Sequence, residues 1–357
     1  MVNIFVTAYT ACNLGDDLFI TILCNRYPLV HFYLYCPNQY AKAFESIRNI
    51  TVISEFNDNE IYNIIDTIDL QIMIGGSLFI QPQNVSKIKL KFESVISCRL
   101  SPNIPFIIIG ANFGPFTELS HLQYYQNWFK TVDDVCFRDI YSYRLFNHLD
   151  NIRWSPDVVF NLTLPNVKKT KSIVISCIYN NNRIGLPQFN NDAYCQKICD
   201  ISKQYIDRGY KVIFASFCVA QNDTNAIQHI YSLMPKSYAK QIGILEYKGD
   251  INTFLNDFLQ AEYIIGTRFH SIILGWKAGI PVFPISYNSK TFNVLRDYGF
   301  VGRYCTIEEF PNLSFEQIND NYIKNYIFDC SNLITSADKQ FKKIDNMINN
   351  INGGRNE

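Results

Sequence analysis

The chain has 357 residues, with 32 basic against 32 acidic side chains and a formal charge of zero. That balance leaves no basic surplus to make nucleic acid or an anionic membrane the principal partner. Single cores rarely grow past ~250–300 residues, so this length, with 48% hydrophobic and 15% aromatic side chains, predicts two packed domains.

The opening MVNIFVTAYTACNLGDD has no cationic segment, and its apolar run is too short for a signal sequence. No window approaches the ~20 apolar residues of a membrane helix. The expectation is a soluble cytoplasmic chain without integral membrane segments, able to make peripheral contact with the inner membrane face. The eleven cysteines stand singly, without CxxC pairs or a histidine-rich neighbour, and are expected to be reduced thiols rather than zinc ligands.

Short β-branched and aromatic runs alternate with longer helical stretches. In chain order, strands are expected at 3–7, 31–35, 51–54, 71–74, 106–109 and 135–137. A second series follows at 172–177, 211–215, 243–246, 262–265 and 281–285. Near-continuous apolar runs such as FIIIG and SIVIS suit parallel strands covered on both faces. Their alternation with helices predicts a doubly wound α/β architecture. The polar, proline-containing LTLPNVKKTK (162–171) reads as a linker. The expected division is residues 1–163, residues 164–331, and a C-terminal helix with a disordered tail over 332–357. Open sheets of this kind bind ligands at the carboxyl ends of their strands.

Five strand ends carry candidate chemistry. In TAYTACNLGDDLFI (7–20), Gly15 permits a tight turn or a close backbone approach, and Asp16 and Asp17 suit the positive end of a helix starting near Leu18. The stretch reads either as a dipole-matched helix start or as an acceptor loop whose carboxylates bind sugar hydroxyls or take a proton from one. IMIGGSLFI (72–80) ends a strand in Gly75-Gly76-Ser77, bare backbone for a turn or a ligand, without GxGxxG spacing. IIIGANFGPF (107–116) reads as structural, with Asn112 its one polar arm. Arg138-Asp139, Ser142 and Asp157 read as a buried network that fixes loops.

In GTRFHSIILGWKAGIP (266–281), Thr267 is the expected cap of a helix starting at Arg268, ended by Gly279 and Pro281. Arg268 and His270 then flank a helix end that favours anions. FPISYNSK brings Tyr287 and Lys290 to the same sheet edge. Three potential cations, Arg268, His270 and Lys290, at one edge of a neutral protein predict an anionic ligand.

In this order, NLGDD, GGS, IGANFGP, RDIYS, SPDVVF and GTRFHSIILGWKAGIPVFPISYNSK resemble the polysaccharide pyruvyl transferase family over nearly the whole chain. The resemblance implies two Rossmann-like domains facing across a cleft, as in GT-B enzymes, an acceptor side in the first and a donor side in the second. It implies transfer of pyruvate from phosphoenolpyruvate, as a ketal, to a lipid-linked or nucleotide-linked sugar in surface polysaccharide biosynthesis. Phosphoenolpyruvate is then a co-substrate, with no further cofactor, metal or nucleic acid. On these terms His270 protonates the methylene carbon. Arg268, Lys290, Thr267 and Tyr287 bind the donor, and Asn13, Asp16, Asp17, Gly76 and Ser77 serve the acceptor. The family commonly places an arginine just after the first strand of the second domain. Here SIVISCIYNNNR has Cys177 and asparagines there, and Arg183 is the nearest candidate for donor binding. Two rivals share the architecture: a glycosyltransferase using a nucleotide sugar, and a glycan-binding protein without turnover. The R-x-H block fits the pyruvyl transferase family better than the first of these, and a passive binder has no need of His270.

Overall fold

The computed structural model describes residues 1–54, 64–180 and 189–354. It contains two parallel sheets. The first joins β1 (Val2–Ala8), β2 (Val30–Tyr35), β3 (Ile50–Ile53), β4 (Leu70–Ile74), β5 (Phe106–Ala111), β6 (Asp134–Phe137) and β7 (Ile152–Trp154), in the order β3-β2-β1-β4-β5-β6-β7. The second joins β8 (Ser172–Ser176), β9 (Lys211–Ser216), β10 (Ile242–Glu246), β11 (Tyr263–Gly266), β12 (Val282–Ser286) and β13 (Cys305–Thr306), in the order β10-β9-β8-β11-β12-β13. Each sheet grows outward from its first strand in both directions, which is the doubly wound order. The switch points lie between β1 and β4 and between β8 and β11.

The central strands explain why. Every residue of FIIIGA in β5 and of SIVIS in β8 is buried, as strands covered on both faces require. Neighbouring strands run in parallel register, with Ile4 beside Leu70 and Ile173 beside Tyr263. Between β5 and β6 the register skips Gly110, whose φ of 73° lies in the left-handed region open to glycine.

The chain divides into two compact units that do not follow its linear order. The first comprises Met1–Ala11, Asp16–Asn161 and Leu333–Glu357; the second comprises Cys12–Gly15 and Leu162–Asn332. Side chains from the body of the first unit secure its C-terminal piece. Arg26 pairs with Asp338 and with Asp345, the latter at 3.0 Å. Gln340 is wholly buried, accepting from the Gly110 amide at 3.0 Å and donating to the Ser155 and Pro156 carbonyls at 2.8 and 3.0 Å. The last helix runs over Lys342–Gly354. The tail expected to be disordered from residue 352 is therefore helical through Gly354, and 355–357 lie outside the described residues.

Candidate functional site

In the second unit the switch point is tied together by one hydroxyl. Ser176, at the end of β8, accepts from the amides of Thr267 and Arg268 at 2.9 and 3.1 Å. It also bonds Ser271 Oγ at 2.8 Å, and Ser271 reaches back to the Arg268 carbonyl at 2.6 Å. The helix leaving β11 spans Phe269–Lys277, one residue later than expected. Arg268 occupies its N-cap position in extended backbone and gives no side-chain cap. Thr267 is not the cap: its buried hydroxyl bonds Tyr194 Oη at 2.9 Å.

Arg268 is itself buried. Its Nε donates to Asp223 Oδ2 at 2.9 Å, its Nη2 pairs with Asp223 Oδ1, and its Nη1 donates to Gln221 Oε1 at 2.5 Å. Those bonds use three of five guanidinium donors. Asp223 also accepts from the amides of Phe217 and Cys218 at 2.9 and 3.1 Å. Burial pushes the Asp223 carboxyl up, while Arg268 and the two amides pull it down. Burial alone lowers the Arg268 pKa; Asp223 outweighs that and leaves it above its ordinary value. Arg268 is thus half of a neutral pair, and the inference of three like cations at one edge is corrected on this point.

His270 stands at the second position of the helix, half-buried. Its ring meets Phe269 edge to face, centroids 5.1 Å apart at 77°. Lys290 Nζ lies 5.6 Å from the centroid of the same Phe269 ring, so one aromatic side chain touches both. The helix bearing Lys290 is capped by Asn288, which accepts from the Thr291 amide at 3.0 Å. Tyr287, 5% exposed after β12, lies near Arg268. The second unit therefore brings together Thr267, Arg268, His270, Tyr287 and Lys290. Arg183 lies outside the described residues.

The short piece Cys12–Gly15 belongs to the same unit. Leu14 donates its amide to the Phe217 carbonyl at 3.0 Å, and Asn13 forms an isolated bridge with Cys218. Asn13 Oδ1 accepts from the Gly15 amide at 3.0 Å, and the helix begins at Leu14 rather than near Leu18. A methyl group on Gly15 would overlap the His270 imidazole, with even Cγ at 2.7 Å. Asn13 and Gly15 thus sit among the donor candidates.

In the first unit, Gly76 faces Arg138: a Cβ there would lie 2.8 Å from the guanidinium carbon. Arg138 pairs with Asp157 at 2.7 Å and donates to Asn112 Oδ1 at 2.8 Å, all three buried. Asn112 returns its amide to the Gly76 carbonyl at 2.7 Å. The bare backbone at Gly76 is accounted for by this network. Asp17 is fully buried, whereas Asp16 is half-buried and Ser77 exposed. A Cβ on Gly75 would lie 3.8 Å from Asp16 Oδ1, so Asp16 borders the Gly75–Ser77 turn.

Sequence reasoning missed Asp223, Gln221, Ser176 and Phe269. The available signal was position: each lies within seven residues of the carboxyl end of a strand in the second sheet. Among the described residues, no cluster of three or more histidine, cysteine or carboxylate side chains could hold a metal.

Two parallel, doubly wound sheets make the fold GT-B-like. Solved structures agree: HepE of Anabaena, in complex with UDP and glucose, superposes with a TM-score of 0.58 at 12% identity, covering 99% of this chain and 100% of that one. The UDP-GlcNAc 2-epimerase of Methanocaldococcus jannaschii gives 0.55 at 10% identity, over 96% and 99%. At these identities the likeness is one of fold alone. Residues 13–289 match the family described as polysaccharide pyruvyl transferase, and the chain belongs to that family. The amylovoran biosynthesis protein AmsJ of Erwinia amylovora is 23% identical over 261 residues, 65% of this chain. The chain spans 60% of the length of that curated relative. Among the described residues, no helix is long and apolar enough to cross a membrane.

Proposed function

We propose that the chain transfers pyruvate from phosphoenolpyruvate to two hydroxyls of one sugar, forming a ketal. The observation that carries this reading is the helix start in which His270 and Lys290 share contact with Phe269 beside the anchored Arg268. Protonated His270 gives its proton to the methylene carbon, and C2 becomes electrophilic. One sugar hydroxyl adds to C2 and returns its proton to the imidazole. The C2–O bond to phosphate breaks, the second hydroxyl closes the ketal, and its proton leaves with the phosphate. Atoms balance: phosphoenolpyruvate and a diol become a ketal and inorganic phosphate.

Arg268 acts through geometry rather than net charge. Asp223 and Gln221 fix the guanidinium plane, and the two N–H groups without a hydrogen-bond partner among the described residues serve the donor carboxylate. Lys290 and the positive end of the helix stabilise charge on the departing phosphate. Asp16 and Ser77, the acceptor candidates of the first unit that keep solvent access, bind the sugar. The acceptor is a lipid-linked or nucleotide-linked saccharide met at the inner membrane face.

Thermal-shift titration provides the first test: phosphoenolpyruvate stabilises the protein, and UDP- or GDP-sugars do not. The reverse pattern identifies a nucleotide-sugar glycosyltransferase and sinks the proposal. Against a panel of lipid- and nucleotide-linked sugars, phosphate release depends on acceptor, and release from none marks a passive binder. His270→Ala, still folded, loses ~10²–10⁴-fold in turnover, the usual worth of a positioned general acid. Near-normal transfer by that variant removes His270 from the mechanism.

A further inference from the structure

We infer that Gly15 is a positioning residue for His270, and that Cys12–Gly15 is a structural strap of the donor site rather than part of the acceptor loop. Gly15 has no left-handed φ to explain it: unlike Gly75 or Gly279, it is absent from the positive-φ glycines. It lies in the first turn of a helix, where alanine is intrinsically preferred. Its reason is space. The Cβ of any other residue would fall within the His270 imidazole, against Nδ1, Cε1 and Cγ together. The Nδ1 side of the ring therefore occupies the space a side chain at residue 15 would need.

The same strap reaches Arg268 by a second route. Leu14 and Asn13 hold Phe217 and Cys218 by main-chain hydrogen bonding, and the amides of those two residues grip Asp223, the partner of Arg268. One tetrapeptide thus seats the proton donor directly and the donor-binding arginine through the end of β9. Its role in catalysis rests on the reading of His270 as general acid. The contact itself does not.

Gly15→Ala separates the two. With ¹⁵N-labelled histidine, His270 is assigned among the five histidines by its disappearance in His270→Gln. In Gly15→Ala only the His270 ring signals move, while the protein keeps or gains thermal stability. Unmoved His270 signals overturn the inference whatever the enzyme's activity. Under turnover, Gly15→Ala lowers kcat on the order of 10²-fold, the cost of an ~1 Å misplacement, and leaves KM for phosphoenolpyruvate nearly unchanged. The Gly15→Ala/His270→Ala double variant is no slower than His270→Ala. Multiplied losses show that Gly15 acts elsewhere and overturn the inference. Full activity in His270→Ala, with the ring shift intact, instead overturns the proposed chemistry alone.

Discussion

Arg268 and Asp223 lie 45 residues apart in sequence and share two charge-assisted hydrogen bonds with little access to water. Breaking one partner of a buried pair strands the other charge, at about 3–5 kcal/mol. Asp223→Asn is expected to lower the unfolding free energy by that order, read as a lower denaturant midpoint in the fluorescence of Trp276, which is buried in the second unit. The paired replacement Asp223→Asn/Arg268→Met recovers most of the loss, because no charge is left in the interior and the side-chain oxygen at 223 still accepts from the Phe217 and Cys218 amides. At this scale R-x-H was legible: an arginine and a histidine at a strand-to-helix junction are chemically conspicuous. Asp223 was not, since an acidic residue opening a helix is what capping electrostatics produces anywhere. Gly15 was legible as a site of a tight turn or a close backbone approach, but not what approaches it, because its neighbour His270 is distant in the chain.

The helix Phe269–Lys277 is held at both ends by backbone chemistry. At its start Ser176 takes the two preceding amides. At its end Gly279 donates to the Trp276 carbonyl at 3.0 Å and Ile280 to the Gly275 carbonyl at 2.9 Å, the paired bonds of a Schellman stop. Gly279 has φ of 62° and open space where a Cβ would point. Gly279→Ala therefore costs about 1–2 kcal/mol of backbone strain alone. The expected result is a lower melting temperature with kcat and KM unchanged. Elements were well marked where burial was complete, as in FIIIG and SIVIS. The edge strands β7 and β13 escaped notice: they span three and two residues, too short to show a period of two. The Leu14 helix start was placed four residues late, because NLGDD is polar and Asn13, not a Ser or Asp beside Leu18, receives the first-turn amide.

Across the whole molecule the eleven cysteines are free, and nine of them are buried. Burial pushes Cys24 up to about 12 and Cys36 up to about 11, so little thiolate forms at neutral pH. Brief iodoacetamide treatment at neutral pH is expected to label Cys12 and Cys98 alone, the two half-buried thiols, with all eleven labelled after unfolding; intact mass counts the additions. Composition, neutrality and the alternation of strands made the two-sheet architecture legible from the sequence. The true partition was hidden, because hydrophobic patterning follows chain order and the units do not: residues 12–15 belong to the second and 333–357 to the first. That interleaving bears on inheritance. A gene crossover at the linker would part these short pieces from the units they belong to. Such a recombinant would receive His270 without its own Gly15, and a first unit without its own closing helices.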